Sequence, residues 1–221
     1  MPAPRKFTHE QLRDAALAIV DEQGLDALTM RALAARLGTG AMTIYNYVDR
    51  RDGLDGLVTS GVWASAPLWA ERHPDWRDDL REVASGLWRA VRAHPNAIPL
   101  LLTRRTQDWT TLDQAEALLE ALRRGGFRGF ALLAAFRAVS GFVAGFAQAE
   151  LAGPLSLTKE DNFAAVLARM RALPIGRYPG LREVAEAAAA TSPTAEFTEA
   201  LDLVIAGLSS ARRAESPDSV C

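Results

Sequence analysis

The sequence holds one cysteine, Cys221, so no disulfide and no cysteine-based metal site can form within a chain. That usage suits a reducing compartment and leads to the expectation of a cytoplasmic protein. Only three histidines are present, His9, His73 and His94, and their spacing forms no metal constellation. Positive charge is not in excess. Twenty-five Lys and Arg face 27 Asp and Glu, for a net charge of −2. This excludes a polycation that coats nucleic acid, but not a small basic reading head on an acidic body. The first ten residues, MPAPRKFTHE, contain no apolar leader core. No long apolar run is uninterrupted. Phe130–Leu151 is the most apolar stretch, yet Arg137 and Glu150 break it and it is rich in glycine, so it reads as an interface helix rather than a membrane span. Strand patterns and internal repeats are missing. So are a Glu-x-x-His pair, a nucleophile–base motif and a phosphate-binding loop, and neither an enzyme nor a cofactor is expected. What remains is 221 residues, 49% of them hydrophobic, enough for one domain or two small ones with a sizeable core.

The chain is organised around Thr29–Arg51, TMRALAARLGTGAMTIYNYVDRR. A short helical stretch is cut off at Gly38. The link Gly38-Thr39-Gly40 leads into a second short helix carrying Met42, Thr43, Tyr45 and Tyr47, and Arg50-Arg51 closes the segment. This is the layout of a helix-turn-helix, whose second helix lies in the major groove of DNA.

Ahead of it, Met1–Phe7 reads as a loose basic arm. Thr8 and Gln11 form a capping box for a first helix with Leu12, Ala15, Ala16, Ile19 and Val20 on one stripe, ended by Gly24. Thr29 caps helix two, with Leu33, Ala34 and Leu37 on its inner face. Helix three is expected over Ala41–Val48, with Ile44 and Val48 inward and Met42, Thr43, Tyr45, Asn46 and Tyr47 outward. Two tyrosines and a methionine exposed on one short helix are costly unless they bind something. Asp49 is expected to cap helix four, Arg50 to about Ala66, with Leu54, Leu57, Val58 and Val62 on its core side. Beyond Pro67 the pattern stays helical: Asp75–His94, Ala97–Thr103, Thr110–Arg124, Phe130–Leu151, Thr158–Leu173, Leu181–Ala190, and a last helix capped by Thr194 whose end Arg212-Arg213 complements. The expectation is an all-α chain. Residues 1–50 form a three-helix DNA-binding head, 51–66 a connecting helix, and 67–221 a helical body.

In order and spacing, residues 8–66 resemble the DNA-binding head of the tetracycline-repressor (TetR) family. The pattern is T-x-R-x-L-A-x-x-L-G, a three-residue link, then T-x-Y-x-Y/H-V and basic residues. The body resembles the tetracycline repressors' C-terminal class in WRDDLREVASGLWRAVRAHP, LLEALRRGGF and FTEALDLVIAGL. The resemblance implies DNA contacts at Thr29 and Arg31 near the start of helix two, and at Ala41, Met42, Thr43, Tyr45, Asn46, Tyr47 and Arg51. Thr43 and Tyr45 match phosphate contacts, and Arg51 a phosphate-binding lysine. Ala41 and Met42 depart from the polar residues often found there, so readout would favour thymine methyls.

The same resemblance implies an effector pocket, with Trp63, Leu87, Trp88, Leu101, Arg104, Trp109, Phe136 and Phe142 as its candidates. It also implies a homodimer through Phe130–Leu151 and Thr194–Arg213. The magnesium–tetracycline ligands are not retained, because their positions fall near Pro67, Val83 and Leu100, so an apolar or aromatic effector is expected. The function implied is a repressor that binds a palindromic operator as a dimer and is released by its effector. The rival is a dimeric small-molecule-binding protein without operator binding.

Overall fold

The computed structural model describes residues 6–67, 72–103, 109–152 and 160–215, and every regular element among them is helical. The chain falls into two compact units. One is Met1–Ala70 with Gly86–Leu118, the other Glu71–Ser85 with Leu119–Cys221.

In the first unit, α1 (His9–Gln23) starts at a complete capping box. The Thr8 hydroxyl accepts from Gln11 N at 3.1 Å, and the Gln11 side chain accepts from Thr8 N at 2.9 Å. Two donors that a helix start leaves orphaned are thereby satisfied. Leu12, Ala16, Ile19 and Val20 are buried, as their helical spacing requires. Next, α2 (Met30–Arg36) begins where the Thr29 hydroxyl accepts from Ala32 N at 3.0 Å. Gly38 takes φ of +64°, a left-handed backbone that a side chain would strain by about 1–2 kcal/mol.

The following helix, α3 (Ala41–Tyr45), is shorter than its expected extent to Val48. After Tyr45 the chain tightens. Asn46 N donates to Thr43 O and Tyr47 N to Ile44 O, bonds of the three-residue kind that close a helix end. Ile44 and Val48 are buried as expected.

Helix α4 (Arg50–Ser65) buries Leu54, Leu57, Val58 and Val62 and packs extensively on α1. Asp49 stands at its N-cap position, but its side chain does not cap the helix, contrary to expectation. Gly53 is needed for packing, since a Cβ there would collide with the Val48 side chain. Val48, just after α3, is thus seated against the first turn of α4.

Further along come α5 (Trp76–Ala93), α6 (Ile98–Thr103) and α7 (Trp109–Arg124). The division between units runs through α5 and α7. On α7, Leu118 and Leu122 are buried, while Leu112 is 45% exposed.

The second unit holds the start of α5, the end of α7, and α8 (Gly129–Ala152), α9 (Glu160–Arg171), α10 (Pro179–Ala189) and α11 (Pro193–Glu215). Fully buried Asp79 accepts from His73 N at 2.7 Å and pairs with Arg124, which also donates to His73 O at 2.6 Å. Helices α8 and α11 pack together through Phe142, Phe146 and Phe197, with ring centroids 5.3 to 5.6 Å apart. Arg212 does not serve its own helix end as expected. Its Nε donates to Gly125 O at 2.9 Å, capping α7 instead.

Candidate functional site

Short α3 can present a reading face because its inner side is held by Ile44 and Val48, both buried. What points outward is apolar to an unusual degree. Met42 is 77% and Tyr45 54% exposed. Asn46 is exposed as well, and Ala41 and Thr43 are half-buried beside them. At the start of α2, Arg31 is exposed. The exposed Thr29 hydroxyl accepts the capping bond and still has its own proton to donate outward. The nine expected contact residues therefore lie on the α2–turn–α3 segment and the first turn of α4, but they are not equivalent.

Tyr47 is half-buried, and its hydroxyl accepts from Phe7 N at 3.0 Å. The two rings meet edge to face at 6.2 Å. Tyr47 therefore anchors Phe7, just ahead of α1, and Lys6 Nζ lies 5.3 Å from the Phe7 ring. No local pattern links positions 40 residues apart, so this pairing was not legible in the sequence.

Arg51 departs further from expectation. Its Nη1 donates to Leu28 O at 2.6 Å and its Nη2 to Leu25 O at 3.1 Å. Nε lies 3.0 Å from Oδ1 of Asp55, as an ion pair rather than an aligned hydrogen bond. The guanidinium assigned to a phosphate is engaged within the protein. Arg36, at the end of α2, is engaged too. It forms a forked pair with Glu22 at 2.8 and 2.6 Å, and that hydrogen-bonded guanidinium holds the Glu22 carboxyl below its ordinary range.

The far end of α4 is also tied down. Gln114 of α7, 5% exposed, donates from Nε2 to Ala66 O at 2.9 Å and to Trp63 O at 3.2 Å. Both carbonyls lie at the end of the helix, where Trp63 O also accepts from Ala66 N at 3.2 Å. Sequence reasoning passed over Gln114 because an apolar stripe drew attention to its neighbours.

The effector candidates divide between the units. Trp63, Leu87, Trp88 and Leu101 belong to the first, and Phe136 and Phe142 to the second. Leu87 and Trp88 are buried, and Trp63, Leu101 and Phe136 are half-buried. Phe142, expected to face a ligand, sits in the ring cluster between α8 and α11. Arg104 and the Trp109 side chain lie outside the described residues. A cleft of about 440 Å³ does occur in the second unit, between α10 and α11, and none of the expected residues lines it. No group of three or more potential metal ligands occurs among the described residues.

Comparison with known proteins adds independent findings. A family model described as "Tetracyclin repressor-like, C-terminal domain" matches residues 69–212, and one described as "Bacterial regulatory proteins, tetR family" matches residues 12–54. An HTH-type transcriptional regulator of Saccharopolyspora erythraea is 34% identical over 144 residues, 65% of this chain and 61% of that protein. The HTH-type transcriptional repressor DrrR1 of Streptomyces coeruleorubidus is 28% identical over 187 residues, 81% of this chain and 69% of its own length. The chain thus spans about three fifths of the first of these relatives and about two thirds of the second. The apo crystal structure of ActR from Streptomyces coelicolor superposes with a TM-score of 0.80 at 25% identity, covering 95% of this chain and 98% of that one. ActR in complex with actinorhodin superposes at 0.75, again at 25% identity, over 93% and 98% of the two chains.

Proposed function

Since the chain belongs to the tetracycline-repressor family of bacterial regulatory proteins, we propose that it is a ligand-responsive transcriptional repressor acting in the cytoplasm as a homodimer. The observation that carries the reading is the α2–turn–α3 unit, which holds Met42 and Tyr45 out to solvent on a rigid base. In a dimer two such units would enter successive major grooves of a palindromic operator, about 34–36 Å apart. Thr29, Thr43 and Tyr45 would hold phosphates. Arg31 would read a base edge or a phosphate, Asn46 would contact the groove wall, and Ala41 and Met42 would meet thymine methyls.

The release arm follows from two states of different operator affinity. An effector that prefers the DNA-incompetent state lowers affinity by its differential binding. ActR, structurally similar to this chain, binds actinorhodin, which supports a polycyclic aromatic effector here. An aromatic ligand also suits the tryptophan-rich candidates Trp63, Trp88 and Trp109.

Titration of the DNA upstream of its own gene tests the reading. Specific binding should weaken steeply between 50 and 200 mM salt, because it rests on phosphate contacts. Aromatic polyketides should release it. Tight ligand binding with no binding to any intergenic DNA would overturn the reading in favour of a ligand-binding dimer without an operator.

A further inference from the structure

Arg51 stands where the family resemblance places a phosphate-binding lysine, yet two carbonyl acceptors and an ion-pair partner of the protein's own already engage it. Leu25 O and Leu28 O, at 3.1 and 2.6 Å, belong to the short turn (Leu25–Ala27 and Leu28) that joins α1 to α2. The ion-pair partner, the Asp55 carboxylate at 3.0 Å, lies one turn further along α4 with a side chain only 4% exposed. One planar group therefore ties the link ahead of α2, the first turn of α4 and a buried charge. A guanidinium presents five donors in a fixed fork and can do this. A lysine ammonium carries the same charge but cannot span all three partners. Asp55 argues independently for the clip. A carboxylate on the core side of a helix costs desolvation that a close cation helps to offset. A negative charge there gives nothing to an arginine whose task is to meet phosphate.

The geometry points to Arg51 as a positioning residue rather than a DNA contact. With Asp55 it fastens the α1–α2 link to the start of α4 and so fixes the angle at which α4 holds the reading unit. This deepens the operator-binding reading and rests on it.

The test uses full-length protein and a duplex selected from a random pool by the wild type. Affinities are measured well below each variant's melting temperature. Arg51→Lys and Asp55→Asn should each weaken specific binding about tenfold, the scale of one lost charge-assisted hydrogen bond. Binding to a scrambled duplex and the salt slope should stay unchanged. The double variant should lose no more than either single one, because both break the same clip. A merely structural role would lower the melting temperature and leave the affinity of folded protein intact. Two results would overturn the inference: wild-type affinity in Arg51→Lys, or a salt slope about one unit smaller with Asp55→Asn at or above wild-type affinity, the signature of a phosphate contact. Amide exchange without DNA separates this failure from that of the operator reading. If the wild type selects no duplex, faster exchange at residues 28–33 in Arg51→Lys still supports the clip, and unchanged exchange sinks it.

Discussion

Met42 is 77% exposed in the first turn of α3, where a polar side chain would hydrogen-bond base edges. A thioether offers almost no hydrogen bond, so its contribution to recognition must come from apolar contact, and the thymine 5-methyl is the apolar group in the major groove. Removing one buried methyl costs about 0.8 kcal/mol, or roughly fourfold in affinity. Uracil in place of the contacted thymine should therefore weaken wild-type binding about fourfold. Met42→Ala should bind both duplexes alike, at the weaker level. Fluorescence anisotropy on paired thymine and uracil duplexes decides it, and equal wild-type affinity at every position would remove Met42 from the reading edge. A second residue makes a prediction about stability. Burial, and then the nearby Glu150, raise the Glu196 carboxyl above its ordinary value of 4.5. The folded state thus holds this proton more tightly than the unfolded one. The associated stability is present below about 4.5 and lost as pH rises through the raised value. Glu196→Gln should consequently melt above wild type at pH 7.5, with the gap closing towards pH 4.5. A gap that widens on acidification would show instead that the carboxylate is favourably paired in the folded protein.

Helix α4 is fastened at both ends by other parts of the chain. At its C-terminal end the Gln114 side chain meets Trp63 O and Ala66 O. Gln114→Leu keeps the volume and removes the side-chain donor to Ala66 O, while Trp63 O keeps Ala66 N, at a cost of about 1–3 kcal/mol. A lower melting temperature should be accompanied by faster amide exchange in the last turn of α4. Exchange that rises throughout the protein alike would mean that Gln114 supports the unit generally rather than that helix end. The same element shows what the sequence could disclose. The Thr8–Gln11 box, the Thr29 cap, the Gly38 exit and the buried stripe of α4 are legible because each depends on residues within a turn or two. Arg51 pairs with carbonyls 23 and 26 residues away, and Tyr47 with an amide 40 residues away. Such partners depend on tertiary packing, so motif position alone suggested DNA contacts for Arg51 and Tyr47, and the structure adds internal partners to both. The early end of α3 is a local tightening: Asn46 and Tyr47 donate to Thr43 O and Ile44 O, while Val48 still faces inward and donates to Ile44 O.

For the whole molecule the open question is what covers α8 and α11. Helix α8 is long and apolar enough to cross a membrane by length and composition, with mean hydropathy 1.8 and only 22% of that stretch buried. Its outward residues include Phe130 at 83% exposure and the small residues Ala134, Ala138, Gly141 and Gly145. Leu203, 68% exposed, and Ala206, Gly207 and Ser210 face outward on α11. Small residues at intervals of three and four let helices approach closely, and a bare apolar stripe of this length marks a partner surface. Arg137 is exposed on α8 too, which suits a helix in water more than one in lipid. Both stripes belong to the second unit, and we propose that a second copy covers them, self-complementary about a two-fold axis. Ala138→Glu places a charge on the α8 stripe without touching the chain's own core, so each chain should keep its helical content. The dimer should dissociate, seen as a halved mass by light scattering. Operator affinity should then fall by 10²–10⁴, because the second reading unit no longer binds at the high effective concentration that the dimer provides. A variant that remains dimeric with wild-type operator affinity would place the interface on another face. One that dissociates yet keeps its affinity would mean that a single reading unit suffices, against the two-fold operator proposed for this chain.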